Sequence, residues 1–221
     1  MSELKIENVS YRYKNAPKLA LHSINCAFQP GQVTAVVGPS GSGKTTLLSI
    51  LAGLDRPESG KVTLNGEDLA GKDLDAYRRQ DVSVIFQAFQ LFPLLTVMEN
   101  VCYPMELNRV ALSDAKTRAK TLLESVGIEP EKLRRFPANL SGGEQQRVAI
   151  ARSLATGAGI LLADEPTGNL DGENSRNVVE ILSRLAHDEG YCVIIVTHDP
   201  AIAEVSDVVF RMADGVLELA S

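Results

Sequence analysis

The sequence has few cysteines, no long apolar run and no excess of basic residues, and each absence excludes a class of protein. Its three cysteines, Cys26, Cys102 and Cys192, are odd in number and far apart, so they form no recognisable disulfide framework or metal site, and we expect reduced thiols. No apolar run approaches the roughly 18 residues that cross a bilayer. The net charge of -6 argues against a general electrostatic grip on nucleic acid.

Strand signals and helix signals alternate along the chain. Short continuous apolar runs are typical of buried parallel strands, and alternation of apolar and polar residues favours strands with one exposed face. The predicted strands are 4–9, 24–28, 33–37, 61–64, 82–86, 160–163, 192–196, 207–212 and 216–219. The predicted helices are 44–52, one capped by Thr96 that runs through Leu107, one capped by Ser113 that runs through Ser125, and 174–185. Helix signals dominate from 87 to about 158, which predicts an α/β core interrupted by a mostly helical insert.

A glycine-rich loop lies between the apolar run 33–37 and the helix that follows it. The loop consists of Gly38, Pro39, Ser40, Gly41, Ser42, Gly43, Lys44, Thr45 and Thr46. It satisfies the P-loop pattern of a glycine, four residues, then GK and a serine or threonine. The glycines let backbone N–H groups converge on phosphate oxygens, and the helix N-terminus adds roughly half a positive charge. We expect Lys44 to reach the β and γ phosphates of a nucleotide and the Thr45 hydroxyl to hold Mg²⁺.

Two carboxylates follow the apolar run 160–163. A carboxylate at the C-terminal end of a parallel strand points into the crevice where ligands bind in such sheets. Asp164 is therefore expected to orient the water shell of Mg²⁺, and Glu165 is a candidate general base for an attacking water.

Two further motifs place polar residues where a phosphate could bind. The sequence LSGGE puts Ser141, Gly142 and Gly143 just before an amphipathic helix, which is the anion-binding arrangement of the first loop without a lysine. By itself it could be an ordinary helix cap. His198 follows the apolar run 192–196, where its ring could contact a γ phosphate or the attacking water, although a single histidine is more often a structural hydrogen-bonding residue.

The motifs GPSGSGKT, Gln87, LSGGE, ILLADEP, GNLD and His198, taken in this order, resemble those of the nucleotide-binding subunit of ATP-binding cassette (ABC) transporters. The resemblance covers essentially the whole chain. It implies an α/β fold with a P-loop NTPase, RecA-like core, an N-terminal antiparallel β subdomain and an inserted α-helical subdomain. It also implies a single ABC ATPase domain over 1–221, with the core and β subdomain in 1–87 and 159–221 and the helical subdomain in 88–158.

The resemblance also assigns roles to individual residues. Tyr13 is implied to stack on adenine, with Tyr11 as the competing candidate. Gln87 is implied to contact Mg²⁺ and the attacking water, and His198 to be the switch histidine. ATP is implied to lie between the phosphate loop of one subunit and Ser141, Gly142, Gly143 and Glu144 of the other. The fifth signature position is often glutamine, and we expect Glu144 to be tolerated there, angled toward the ribose.

These roles imply an ATPase, converting ATP and water to ADP and phosphate, on the cytoplasmic face of the cell membrane. It would form a dimer with a second copy or a paralogue and drive a separate integral membrane permease, with FQLFP at 89–93 either in the permease groove or packed inside the insert. The segments DEPTGNLD and LTVMENV are similar to those of the lipoprotein-release, macrolide-export and cell-division ATPases. This similarity favours export of a lipophilic, peptide or lipoprotein cargo. A non-transport mechanical or cell-division complex is the alternative. A chromosome or DNA-repair ATPase is disfavoured by the acidic charge and the lack of heptads, and a P-loop kinase by Glu165 and LSGG.

Overall fold

The computed structural model describes residues 3–220, which form two β-sheets and seven α-helices. The strands are β1 (Leu4–Tyr11), β2 (Leu21–Phe28), β3 (Val33–Val37), β4 (Ser59–Leu64), β5 (Glu67–Asp68), β6 (Val82–Phe86), β7 (Ile160–Asp164), β8 (Cys192–Thr197), β9 (Val208–Ala213) and β10 (Val216–Leu219). The helices are α1 (Lys44–Leu51), α2 (Leu74–Gln80), α3 (Val97–Leu107), α4 (Leu112–Ser125), α5 (Gly142–Leu154), α6 (Gly172–His187) and α7 (Pro200–Glu204). Short 3-10 turns lie at Leu69–Gly71, Pro130–Lys132 and Pro137–Asn139. The predicted α/β class is confirmed.

The larger sheet has the strand order β10-β9-β3-β8-β7-β6, and all of its pairs except β9 with β10 are parallel. Its register brings the carboxyl ends of four strands to one edge. Val37 lies opposite Thr197, and Asp164 lies between Val196 on one neighbour and Phe86 on the other. The residues that directly follow these strands therefore meet at this edge, where ligands bind in open parallel sheets.

Two apolar cores cover the two faces of this sheet. Successive residues of a strand point to opposite faces, so Leu161 and Val193 belong to one core while Leu162 and Ile194 belong to the other. The first core contains α3 to α6, and the second contains α1 and the antiparallel sheet, which has the order β2-β1-β4-β5. Burial on both faces explains why the parallel strands are continuous apolar runs. Within residues 3–220, none of the helices combines the length and hydrophobicity needed to cross a bilayer.

Most predicted elements are present, and three of the predicted strands, 33–37, 82–86 and 216–219, have the predicted bounds. The helix through Leu107 is also confirmed, with Thr96 at its cap. The prediction that Ser113 caps the next helix is wrong: α4 begins at Leu112, and its N-cap residue is Ala111, two residues before the predicted cap. The Ala111 carbonyl accepts the first helical hydrogen bonds, because a left-handed residue at Arg109 (φ 62°) turns the chain before that point. The sequence predictions missed β5, α2 and α7.

Candidate active site

The phosphate loop closes around its own lysine. Lys44, the first residue of α1, is 7% exposed, and its Nζ donates hydrogen bonds to the carbonyls of Gly38 (2.7 Å) and Pro39 (3.0 Å). Gly43, the residue before the helix, has a φ of 109°, a conformation that favours glycine. The loop thus holds an ammonium group inside a ring of backbone at the N-terminus of a helix, which is an anion-binding arrangement.

A hydroxyl and a carboxylate face each other beside this loop. The Thr45 hydroxyl, from the first turn of α1, lies 3.5 Å from Oδ1 of Asp164 at the end of β7. Burial and the neighbouring Glu165 raise the pKa of Asp164, while Thr45 and Lys44 act in the opposite direction. Mg²⁺ prefers oxygen ligands and commonly takes one or two from the protein, with phosphate and water supplying the rest. The two side chains therefore fit Mg²⁺ bound together with a nucleotide.

Glu165 adopts a left-handed backbone conformation, with a φ of 48°. For a residue that is not glycine such a conformation costs about 1–3 kcal/mol, and it concentrates at functional sites. Three contacts reach its Oε2: the Thr197 hydroxyl (3.1 Å) and the His198 backbone N–H (3.3 Å) donate hydrogen bonds, and the His198 ring Nδ1 lies 2.9 Å away. The structure thus brings together the predicted acid and the predicted histidine at the ends of two adjacent strands.

A cavity of about 860 Å³ opens beside the phosphate loop and contains Tyr13. The Tyr13 ring is 47% exposed, and its hydroxyl lies 2.7 Å from that of Thr46. Tyr11 is turned away from this cavity and donates to Asp55 at 3.1 Å, so the geometry favours Tyr13 as the residue that meets a base. Residues that no motif indicated also line the cavity: Lys18, Leu19, Ala20, His22, Asp214 and Gly215. Only long-range pairing, such as Gly215 N–H to the Ser42 carbonyl (2.9 Å), brings them there.

The signature residues lie elsewhere in the same chain. In the part of the chain that the structure describes, none of residues 141–144 lines the cavity beside the phosphate loop. Ser141 is the N-cap of α5, and Gly143 is packed so tightly that a Cβ added there would lie 2.0 Å from the Asn174 side chain on α6. Instead of pointing outward, the Glu144 carboxylate accepts a hydrogen bond from the Ser141 N–H (2.8 Å) and pairs with Lys132 (2.6 Å).

Gln87 packs against the segment that follows β7. The Gln87 side chain lies against Gly168, which follows β7: a Cβ added to Gly168 would lie 2.7 Å from the Gln87 amide nitrogen. The backbone carbonyl of Gln87 accepts a hydrogen bond from the Asn169 side chain (2.9 Å). The loop after Gln87 is strained, because Phe89 and Gln90 both have positive φ values, of 58° and 49°. Gln87 thus joins the parallel sheet to this loop and to the segment that follows β7.

Comparisons with known proteins agree with these features. The family model described as "ABC transporter" matches residues 21–168. The lipoprotein-releasing system ATP-binding protein LolD of Syntrophotalea carbinolica is 46% identical over 198 residues, which cover 88% of this chain and 87% of LolD. The macrolide export ATP-binding/permease protein MacB of Syntrophobacter fumaroxidans is 41% identical over 221 residues, which cover 98% of this chain and 31% of MacB.

A solved structure with the same fold is the dimeric ATP-binding cassette MJ0796 in a post-hydrolysis state, bound to ADP and Pi. It is 36% identical, with a TM-score of 0.88, and the match covers 97% of this chain and 96% of that chain. The family model spans most of the chain, and the relatives extend the match to nearly all of it. The chain therefore belongs to the ABC transporter family, as one of its ATP-binding, ATP-hydrolysing cassettes.

Proposed function

We propose that this ATP-binding subunit drives a separate membrane permease by closing with ATP into a head-to-tail dimer with a second copy or a paralogue. The observation that carries the proposal is the separation of the two anion-binding helix starts. In the described part of the chain, residues of the phosphate loop line the cavity beside Lys44, and the signature residues 141–144 do not. Ser141 is therefore free to meet the nucleotide of another subunit. The dimeric relative MJ0796 supports this arrangement.

In this proposal each side chain at the strand edge has one task. Lys44 and the loop N–H groups of residues 38–46 bind the phosphates, and Tyr13 stacks on the adenine. Thr45 and Asp164, with Gln87, would hold Mg²⁺, and the bound ion would supply positive charge that offsets the charge of the phosphates.

Glu165 is the general base. Because its hydrogen bonds in the described chain all go to Oε2, Oε1 is left to accept a proton from water. His198 contacts this carboxylate and would sense the γ phosphate.

The permease would dock beside the loop 88–95, in the helical subdomain that we assign to 88–158. Exposed apolar side chains cluster there: Phe92 (42%), Leu94 (87%) and Tyr103 (39%), with Phe92 and Tyr103 in edge-to-face contact at 4.8 Å. An exposed apolar patch is typical of an interaction site. A peripheral position on the cytoplasmic face of the membrane follows from such docking.

The cargo we propose is lipophilic, peptide or lipoprotein, exported or extruded. The names of the relatives LolD and MacB, a lipoprotein-releasing and a macrolide export protein, support this class. A mechanical or cell-division complex is the second candidate, and a reconstituted system that hydrolyses ATP with its permease but moves no cargo would favour it.

Mixing two inactive variants tests the dimer. Lys44→Ala removes the phosphate-loop half of a site, and Ser141→Ala removes the signature half. In a head-to-tail dimer the mixed species has one site with both defects and one intact site. We expect each variant alone to be nearly inactive and the mixture to recover about a quarter of the wild-type rate, since half of the dimers are mixed and each has one site of two. Phosphate release must need no added acceptor, which separates an ATPase from a kinase.

The control is a mixture of Lys44→Ala with Glu165→Gln. Both changes lie in the phosphate-loop half of a site, so in the mixed dimer each of the two sites carries one defect and none is intact. No recovery in the first mixture, with both proteins folded and Ser141→Ala still binding ATP, would disprove the composite site. Glu165→Gln alone should accumulate as an ATP-dependent dimer in size-exclusion chromatography, because it binds ATP without turning it over.

A further inference from the structure

A lysine outside the signature pairs with the carboxylate inside it. Lys132, in the 3-10 turn Pro130–Lys132, lies between two carboxylates, with its Nζ 2.6 Å from Glu144 Oε1 and 2.8 Å from Glu129 Oε2. The side chains of Lys132 and Glu144 are only 22% and 16% exposed. The pair is therefore screened by solvent much less than an ordinary surface ion pair.

Glu144 in turn fixes the orientation of Ser141. Its Oε2 accepts a hydrogen bond from the Ser141 N–H (2.8 Å), while the Ser141 Oγ accepts one from the Glu144 N–H (3.3 Å), so the two residues form a capping box. Because Oγ accepts a bond from the backbone, the hydroxyl proton of Ser141 is left to donate elsewhere. A phosphate oxygen at the N-terminus of α5 is a suitable acceptor.

The same carboxylate is unfavourable for a phosphate unless its charge is compensated. The N-terminus of α5 attracts anions through its dipole and free N–H groups, and an acid in the first turn competes for this positive region. The hydrogen bond from Lys132, helped by the Ser141 N–H, holds the pKa of Glu144 below its usual value against the effect of burial, so the acid stays ionised. Lys132 supplies the compensating charge within the same chain.

We propose that Lys132 is a positioning residue of the signature: by pairing with Glu144 it keeps the capping box formed and cancels its charge, so that Ser141 can bind the ATP phosphates of a second copy. The inference rests on the proposed dimer. It also explains how the charged Glu144 can occupy the fifth signature position, which is often an uncharged glutamine.

The test compares variants made in a Glu165→Gln parent, by the ATP concentration that gives half-maximal dimer in size-exclusion chromatography. Lys132→Ala should raise this concentration about tenfold, as the loss of one charge-assisted hydrogen bond allows. Glu144→Gln, whose amide oxygen can still accept from Ser141, is the reference for the double variant. The decisive variant is Lys132→Ala with Glu144→Gln, which should stay within about threefold of Glu144→Gln alone, because no charge is left to compensate.

Glu129→Gln is the matched control, since it removes the other partner of Lys132 and should leave dimerisation unchanged. Lys132→Arg keeps the positive charge and should dimerise at the same ATP concentration as the parent. Lys132→Gln serves as the second variant if Lys132→Ala does not fold. An equal loss from Lys132→Ala with and without Glu144→Gln would overturn the inference, because Lys132 would then act independently of the acid. A Glu165→Gln parent that binds ATP and stays monomeric would instead overturn the proposed function, and this inference with it.

Discussion

Replacing Arg152 by methionine should release the strained loop that follows β6. Arg152 lies on α5, and its guanidinium donates to the carbonyls of Gln90 (2.6 Å) and Phe89 (3.1 Å) while lying 5.8 Å from the ring centre of Phe92. Phe89 and Gln90 are the two consecutive left-handed residues of this loop. The arginine thus connects the signature helix to the backbone that we assign to permease docking.

The magnitude follows from these contacts. A hydrogen bond to a charged group contributes about 1.5–3 kcal/mol, and the bond to the exposed Gln90 belongs at the low end, so the two bonds give about 3 kcal/mol. The contact with Phe92 adds about 0.5–1 kcal/mol. Releasing two left-handed residues returns about 1 kcal/mol each. The free energy of unfolding should therefore fall by about 1–2 kcal/mol, and local opening of the loop should become easier by the same amount, because the open loop has neither the contacts of Arg152 nor the strain.

Hydrogen exchange measures the local opening of the loop, and thermal unfolding measures the global stability. In Arg152→Met the amides of residues 87–92 should exchange about 5–30-fold faster, while the melting temperature falls by about 2–8 °C, the shift expected for a chain of this length. Arg152→Lys should not rescue the loop, since one ammonium cannot replace the planar fork. Arg118→Met, the same change at an exposed position of α4, is the control. Exchange within about threefold of wild type in residues 87–92 would refute the reasoning.

Three further predictions concern packing, a buried hydroxyl and pH. Gly143→Ala places a carbon 2.0 Å from the Asn174 side chain and should lower the free energy of unfolding by about 1–3 kcal/mol in urea, with partial recovery in the double variant with Asn174→Ala. Tyr77→Phe removes the buried hydrogen bond to the Leu51 carbonyl (2.7 Å) and should cost about 1–3 kcal/mol in the same assay; no change would mean that the carbonyl finds another donor. Two lysines, Lys5 first, lower the pKa of Glu7 from 4.5 to about 2, so its contribution is present above pH 4.5 and is lost as the pH falls toward 2. In acid titrations followed by circular dichroism, Glu7→Gln should be less stable than wild type at pH 7 and equal to it near pH 2; a constant difference would contradict the assignment.

The parts of the fold that the sequence predicts well are those with a local cause. The strand 33–37 is buried on both faces and ends at the phosphate-loop glycine, so composition and a turn signal determine both of its ends. The helix capped by Thr96 is determined in the same way, because Glu99 three residues later completes a capping box. The phosphate loop, Asp164 and Glu165 follow from their positions at strand ends.

The parts that sequence reasoning missed depend on residues far apart in the chain. Ala111 starts α4 because the preceding turn fixes its carbonyl, which no propensity at Ser113 could indicate. His22 joins the nucleotide cavity because its N–H donates to Gly215 (2.8 Å), almost two hundred residues away. The direction of the Glu144 carboxylate depends on a lysine in a different element, and that pairing is invisible to a motif.

The strand order has a consequence for synthesis of the protein. β3 carries the phosphate loop on its end, and both of its neighbours in the sheet, β8 and β9, are among the last strands to be made. At about 5–20 residues per second, β3 waits roughly 8–30 s before its first partner leaves the ribosome. During that time both of its edges are unpaired and apolar, which makes the nascent chain a substrate for chaperones. The ATP site is assembled only when β8 is inserted, so an incomplete chain cannot hydrolyse ATP.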